Sequence, residues 1–245
     1  MSNSKKSRFI TKDDRVIFIG GPGSGGGGVI GGKAPYYVVG KVDKEVIDKL
    51  MAKYKEIPEW AREGVQEVVF HEKPGFGFEA GGVEFRAGAS WDVSNGRINV
   101  YNAKNYADSG NDPFGHEVGH NMFDRWWNQA REQENRVYNS TDTMHMFMLN
   151  GYPKPEFVNE VARLMPLATA RDNFTAAWRA GQDGITHYSM AWAKEGHWSE
   201  TAAEMAKVYF RGGENALRSV AKGTGASDLA ESFLQMTAYF ESSYD

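Results

Sequence analysis

The sequence predicts an α+β fold, a small and mostly antiparallel sheet followed by a helical region. Two observations carry that expectation. Candidate strands rich in β-branched and aromatic residues gather before residue 102, and segments with apolar residues at helical spacing fill the chain after Pro113. Strands first and helices later is the order of an α+β architecture rather than of alternating βαβ units. With 245 residues, 41% of them hydrophobic and 13% aromatic, the chain is long enough to bury a substantial core.

Residues 1–35 read as a flexible glycine-rich tail, and 36–245 as the folded domain. The tail has a charged start (Lys5, Lys6, Arg8), a strand candidate at Arg15–Ile19, and the tract GGPGSGGGG from Gly20 to Gly28, too costly in backbone entropy to hold one conformation unaided. Gly27 to Lys33 spells GxxxxGK, but Ala34 stands where a nucleotide-binding loop needs Ser or Thr, and Pro35 opposes the helix that should follow. Beyond it, Val46, Ile47, Leu50 and Met51 mark a helix over Asp43–Tyr54 that Pro58 bounds. Strands are expected at Val65–Phe70, Val83–Trp91 and Arg97–Tyr101, with a turn at Ser94, Asn95 and Gly96. Helices are expected at 113–131, 156–165, 172–180, 200–210 and 226–240, and the polar segment Glu132–Thr143 reads as a loop.

The chemistry-bearing feature lies in the first of those late helices. His116, Glu117, Val118, Gly119 and His120 spell HEVGH, an HExxH box. Positions four apart sit one above the other on a helix, so both imidazoles can face one divalent ion while Glu117 reaches a water beside it. The helix is legible around the box: Asn111 or Asp112 can cap it, Pro113 suits its first position, and Phe114, Val118, Met122 and Phe123 continue its apolar pattern. The ligand set points to a zinc hydrolase in which Glu117 is the general base. The chain has no cysteine, so any metal is held by imidazole and carboxylate and no disulfide braces the fold.

A catalytic zinc takes three protein ligands and keeps one position open, so two histidines need a partner. Glu200 is the leading candidate, in the segment SETAAEMAKVYF, where Glu204 follows four residues on and can accept a hydrogen bond from a ligand histidine. The competing reading of this segment is a capping box from Thr201 to Glu204. His197 is the main rival ligand, and Asp124 and Asp142 are more remote ones. The strand Arg97–Tyr101 just before the metal helix reads either as an exposed sheet edge that a substrate peptide can extend or as an ordinary core strand.

The combination of HExGH with a downstream ExxAE resembles the zincin peptidases, and within them the family of the anthrax lethal factor catalytic domain and the Pro-Pro endopeptidases. The resemblance covers roughly residues 43–240 and implies a zincin-like domain with the HExxH helix at its cleft. It implies one zinc ion on His116, His120 and Glu200, with Glu117 activating water. That family places a tyrosine upstream of the third ligand to steady the oxyanion, and Tyr188 is its counterpart here. The intervals from His120 and from Tyr188 to Glu200 are both longer than the family's, as an insertion would make them. Separately, TKDDRVIFIGGPGSGGGG resembles leader and linker segments of bacteriophage head-associated proteins, which implies a phage structural partner for the tail.

The expected activity is a zinc endopeptidase acting on a protein or peptide substrate. The alternative is a non-enzymatic, assembly-associated protein with a zincin-like fold whose metal is structural or absent; hydrolysis of a non-peptide amide is a third reading. A net charge of −4 gives no global drive toward nucleic acid or anionic membrane. No apolar run reaches membrane-spanning length, and Lys12, Asp13, Asp14 and Arg15 interrupt any signal-like core, so a cytoplasmic location is expected, in a host cell or a phage particle. The Met144–Met148 run, Trp126, Trp127, His71 and His145 read as packing or structural residues.

Overall fold

The computed structural model describes residues 10–12, 15–18, 28–29, 35–80, 82–140, 148–149 and 152–244. The basic start at 5–8, nearly all of the glycine tract and the GxxxxGK stretch, Asp142 and residues 144–147 lie outside the described residues. The chain divides into two compact units, Met1–Asn121 and Met122–Asp245, with the division inside one continuous helix.

The first unit is built on a sheet of order β1-β2-β4-β5-β9-β8, in which β3 also pairs with β4. Its strands are β1 (Ile10–Lys12), β2 (Arg15–Phe18), β3 (Gly28–Val29), β4 (Pro35–Asp43), β5 (Glu67–His71), β8 (Ala89–Asp92) and β9 (Arg97–Val100). Most of its pairings are antiparallel, as expected: β1 with β2, β2 and β3 with β4, and β8 with β9. Its central pairs, β4 with β5 and β5 with β9, are parallel. For β4 and β5 the physical cause is the crossover through α1 (Lys44–Glu56) and α2 (Glu59–Arg62), which returns the chain to the same end of the sheet before β5 begins. Of the two readings of the strand before the metal helix, the internal one holds. β9 lies between β5 and β8, because the turn at Ser94–Gly96 folds β8 back on β9; among the described residues the sheet ends in β8 on this side and in β1 on the other.

Alternation explains these strands. Ile98 and Val100 are fully buried while Arg97 and Asn99 are half-exposed, and Arg97 pairs with Glu67 across the ladder. The expected strand Val83–Trp91 is two strands. β7 (Val83–Arg86) pairs antiparallel with β6 (Gly77–Ala80), the Phe78 and Phe85 rings stacked at 5.7 Å, and β8 follows Ala87 and Gly88. Helix α1 buries Val46, Ile47, Leu50, Met51 and Tyr54 as one stripe. Burial pushes the Tyr54 hydroxyl up to about 12, against the opposing pull of Arg62. After α3 (Ala103–Ser109) and Gly110 in the left-handed conformation, the carboxylate of Asp112 accepts from the Phe114 and Gly115 amides at 2.8 and 3.1 Å and starts α4 (Phe114–Asn139). Phe114 and Val118 are fully buried, and Phe114 meets Tyr54 and Phe70 edge-on.

The second unit is helical. It holds the rest of α4, then a short hairpin of β10 (Met148–Leu149) and β11 (Tyr152–Pro153), and α5 (Val158–Leu164), α6 (Pro166–Arg179), α7 (His187–Lys194), α8 (Trp198–Thr224) and α9 (Ser227–Ser242). Helix α9 packs on α6 and α8, with Phe174, Leu217, Leu229 and Phe233 fully buried. Gly213, at φ 71° and ψ −170°, breaks the regular geometry of α8. Residues 132–139, expected as a loop, continue α4: Glu134 holds Arg171 through two hydrogen bonds of 2.6 and 2.9 Å, and Gln133 accepts from the amides of Leu167 and Ala168. Among the described residues no helix is long and apolar enough to cross a membrane.

Candidate metal centre

His116 and His120 stand one turn apart on α4, half-buried, with their rings edge to face at 4.8 Å between centroids. Their Nε2 atoms are 3.1 Å apart. That separation fits one N–H···N hydrogen bond. It equally fits two nitrogens each about 2.0–2.1 Å from one ion, subtending about 100° there, close to a tetrahedral angle. Glu200, half-buried in the first turn of α8, completes the set: one ligand atom from each of His116, His120 and Glu200 lies within 4.8 Å of the others. Two imidazole nitrogens and one carboxylate oxygen are the donor types of an open catalytic site, and this group can hold a metal ion. It is the one such cluster among the described residues; His197 and Asp124 are not in it.

Glu117 is 5% exposed, the next residue along the helix from His116. Near it lies a residue that the sequence does not signal. The Tyr106 phenol of α3 is pushed up first by burial and then by the negative charges of Glu117 and Asp112, so it stays a neutral hydroxyl. Its place is set by Gly88, where a Cβ would meet the Tyr106 hydroxyl and stand 2.8 Å from its Cζ.

Glu204 is 5% exposed and accepts from Lys207 Nζ at 2.9 Å, one turn along α8. The capping box read from Thr201 to Glu204 is not formed, because α8 begins at Trp198. The buried Thr201 hydroxyl donates to the Asp183 carbonyl at 3.2 Å instead. Tyr188 lies in the first turn of α7, half-buried, with its ring 6.4 Å from that of Trp192. His187 and His197 are exposed, and the His197 ring stands 5.0 Å from Trp192. Helix α7 has a capping box that the sequence reading passed over: the Thr186 hydroxyl accepts from the Ser189 amide, and the Thr186 amide donates to the Ser189 hydroxyl.

Other singled-out residues are structural. Trp126 is fully buried and donates to the Leu167 carbonyl at 3.0 Å, and His71 is bonded through Nε2 to Asn99 Oδ1 at 3.0 Å. No family model, curated protein or solved structure matches the chain.

Proposed function

We propose that the protein is a zinc-dependent endopeptidase of the zincin kind, with His116, His120 and Glu200 as the metal ligands. The observation that carries this reading is the convergence of one carboxylate from α8 on the two imidazoles of the HExxH helix. An ion held by these three residues supplies the Lewis acidity that polarises a scissile carbonyl and acidifies water to a pKa of about 7. The chain's own residues do the rest. Glu117 takes the proton from the attacking water and delivers it to the leaving amine nitrogen, so the peptide bond breaks as the new carbon–oxygen bond is made. Its burial keeps it from competing bulk water. The Tyr188 hydroxyl, or an imidazole from His187 or His197, donates to the oxyanion, and Glu204 steadies the ligand shell. Strand β8, terminal in its sheet, offers main-chain groups that an extended substrate peptide can pair with. A cytoplasmic setting and a phage structural partner for the N-terminal segment belong to the same reading.

The test is elemental analysis of protein purified without added metal, paired with cleavage of a peptide library with and without chelator. Stoichiometric zinc and chelator-sensitive cleavage are expected. Zinc held in a closed four-ligand site without cleavage of any peptide overturns the enzymatic reading in favour of a structural, assembly-associated role.

A further inference from the structure

Glu200 sits two residues inside the start of α8, where helices are least fixed. The Glu200 amide donates to the His197 carbonyl at 3.2 Å, but the N-cap side chain gives this end no bond. The preceding residue, His197, has φ −95° and ψ 70° and makes no side-chain capping bond, and Gly196 before it lies in the left-handed region in an exposed turn. A third ligand carried on an unanchored helix start would lose affinity to fraying.

An aromatic column supplies the anchor. The Trp198 ring, on the first residue of α8, is stacked on Trp178 of α6 at 5.6 Å and 12°. It meets Trp127 edge-on at 4.7 Å and Phe123 at 6.3 Å. Phe123 and Trp127 belong to α4, three and seven residues beyond His120, so they continue the helical stripe of His116 and His120. Trp127 is itself held, with the Arg171 guanidinium 5.7 Å from its ring and Glu134 fixing that guanidinium. One helix therefore presents two ligands and, through its aromatic stripe, grips the first residue of the helix that presents the third. Thr201 secures the other side through its bond to Asp183.

We infer that Trp198 is a positioning residue for the metal centre: its clamp between Trp178 and the Phe123–Trp127 stripe sets where Glu200 stands. The inference rests on the ligand set proposed above but not on the reaction. Its readout is zinc affinity, measured by competition with a chromophoric chelator on the full chain. Trp198→Ala is expected to weaken zinc binding about tenfold and Glu200→Gln more than that. The double variant should bind no more weakly than Glu200→Gln alone, since Trp198 acts through Glu200. Losses that multiply in the double variant, or unchanged affinity in Trp198→Ala, overturn the positioning role. If Trp198→Ala does not fold, Trp198→Phe and Trp178→Ala carry the same cycle, with the same two outcomes. Wild-type protein that takes up no zinc overturns the ligand set as well. Wild-type protein that binds zinc but cleaves no peptide overturns only the endopeptidase reading.

Discussion

The Tyr106 hydroxyl occupies the space that a side chain on Gly88 would need. Gly88 closes the gap between the hairpin β6–β7 and β8, and its carbonyl accepts from the Tyr101 amide at 2.9 Å, so the backbone there is not free to withdraw. Gly88→Ala therefore overpacks the site. Urea unfolding should show a loss of about 1–3 kcal/mol, and Tyr106→Phe in the same chain should recover part of it by removing the clashing hydroxyl. A fully additive pair would show that the two residues do not share this space.

The HExxH roles separate metal binding from chemistry. Glu117→Ala removes the proposed base but no ligand, and is expected to retain stoichiometric zinc while losing peptide hydrolysis by at least about 100-fold, the usual scale of general-base catalysis. His116→Ala removes a proposed ligand and should lose both. Elemental analysis and a peptide assay on the two variants check this, and full cleavage by Glu117→Ala would remove Glu117 from the mechanism.

What the sequence made legible was local. HEVGH declares its helix because its spacing is a helical repeat, and Asp112 and Pro113 announce where the helix begins. Glu200 was reachable because two imidazoles require a third donor, a chemical demand that pointed to the carboxylates of SETAAEMAKVYF. What stayed hidden depends on distant partners. β4 escapes pattern reading because Gly40 interrupts it at φ +87°, a conformation accommodated by Glu72, whose carboxylate accepts from the Lys41 amide at 2.9 Å across 31 residues of chain. The end of α4 reads as polar loop because Gln133 and Glu134 find their partners 34 and 37 residues on. The parallel centre of the sheet follows from a crossover, which no strand pattern encodes. Trp198 reads as one more tryptophan until α4, α6 and α8 are in place.

His71 gives the first unit a pH dependence of known sign. Burial, outweighing its bond to Asn99, holds its imidazole below the usual histidine value. The unfolded chain therefore takes up the proton first as pH falls. The stability contributed by the neutral ring is fully present above the unfolded value of about 6.5 and is lost as pH drops through the lower folded one. His71→Gln keeps a partner for Asn99 and removes the titration. Unfolding free energy measured from pH 7.5 down to 5 should fall more steeply in the wild type than in this variant, and parallel profiles would contradict the assignment.

Gln133 acts as a cap from outside the helix it caps. Met165, at the N-terminal boundary of α6, supplies no side-chain bond, and Pro166 follows it without an amide hydrogen, so the next amides, Leu167 and Ala168, need an acceptor. Gln133 Oε1 provides it at 3.0 and 3.4 Å, from the part of α4 beyond the HExxH box. The Leu167 carbonyl in turn accepts from Trp126, so the same two helices are tied twice. Gln133→Ala leaves two helix-start amides without that acceptor and should cost about 1 kcal/mol, as loss of an N-cap does. Gln133→Glu, which keeps the acceptor and adds a negative charge at the positive end of the helix, should cost less or nothing. Hydrogen exchange at Leu167 and Ala168 distinguishes the mechanism from a general loss of stability: the alanine variant should accelerate exchange at these two amides ahead of the rest of α6. Uniform acceleration along the helix would show that Gln133 contributes packing and not a cap.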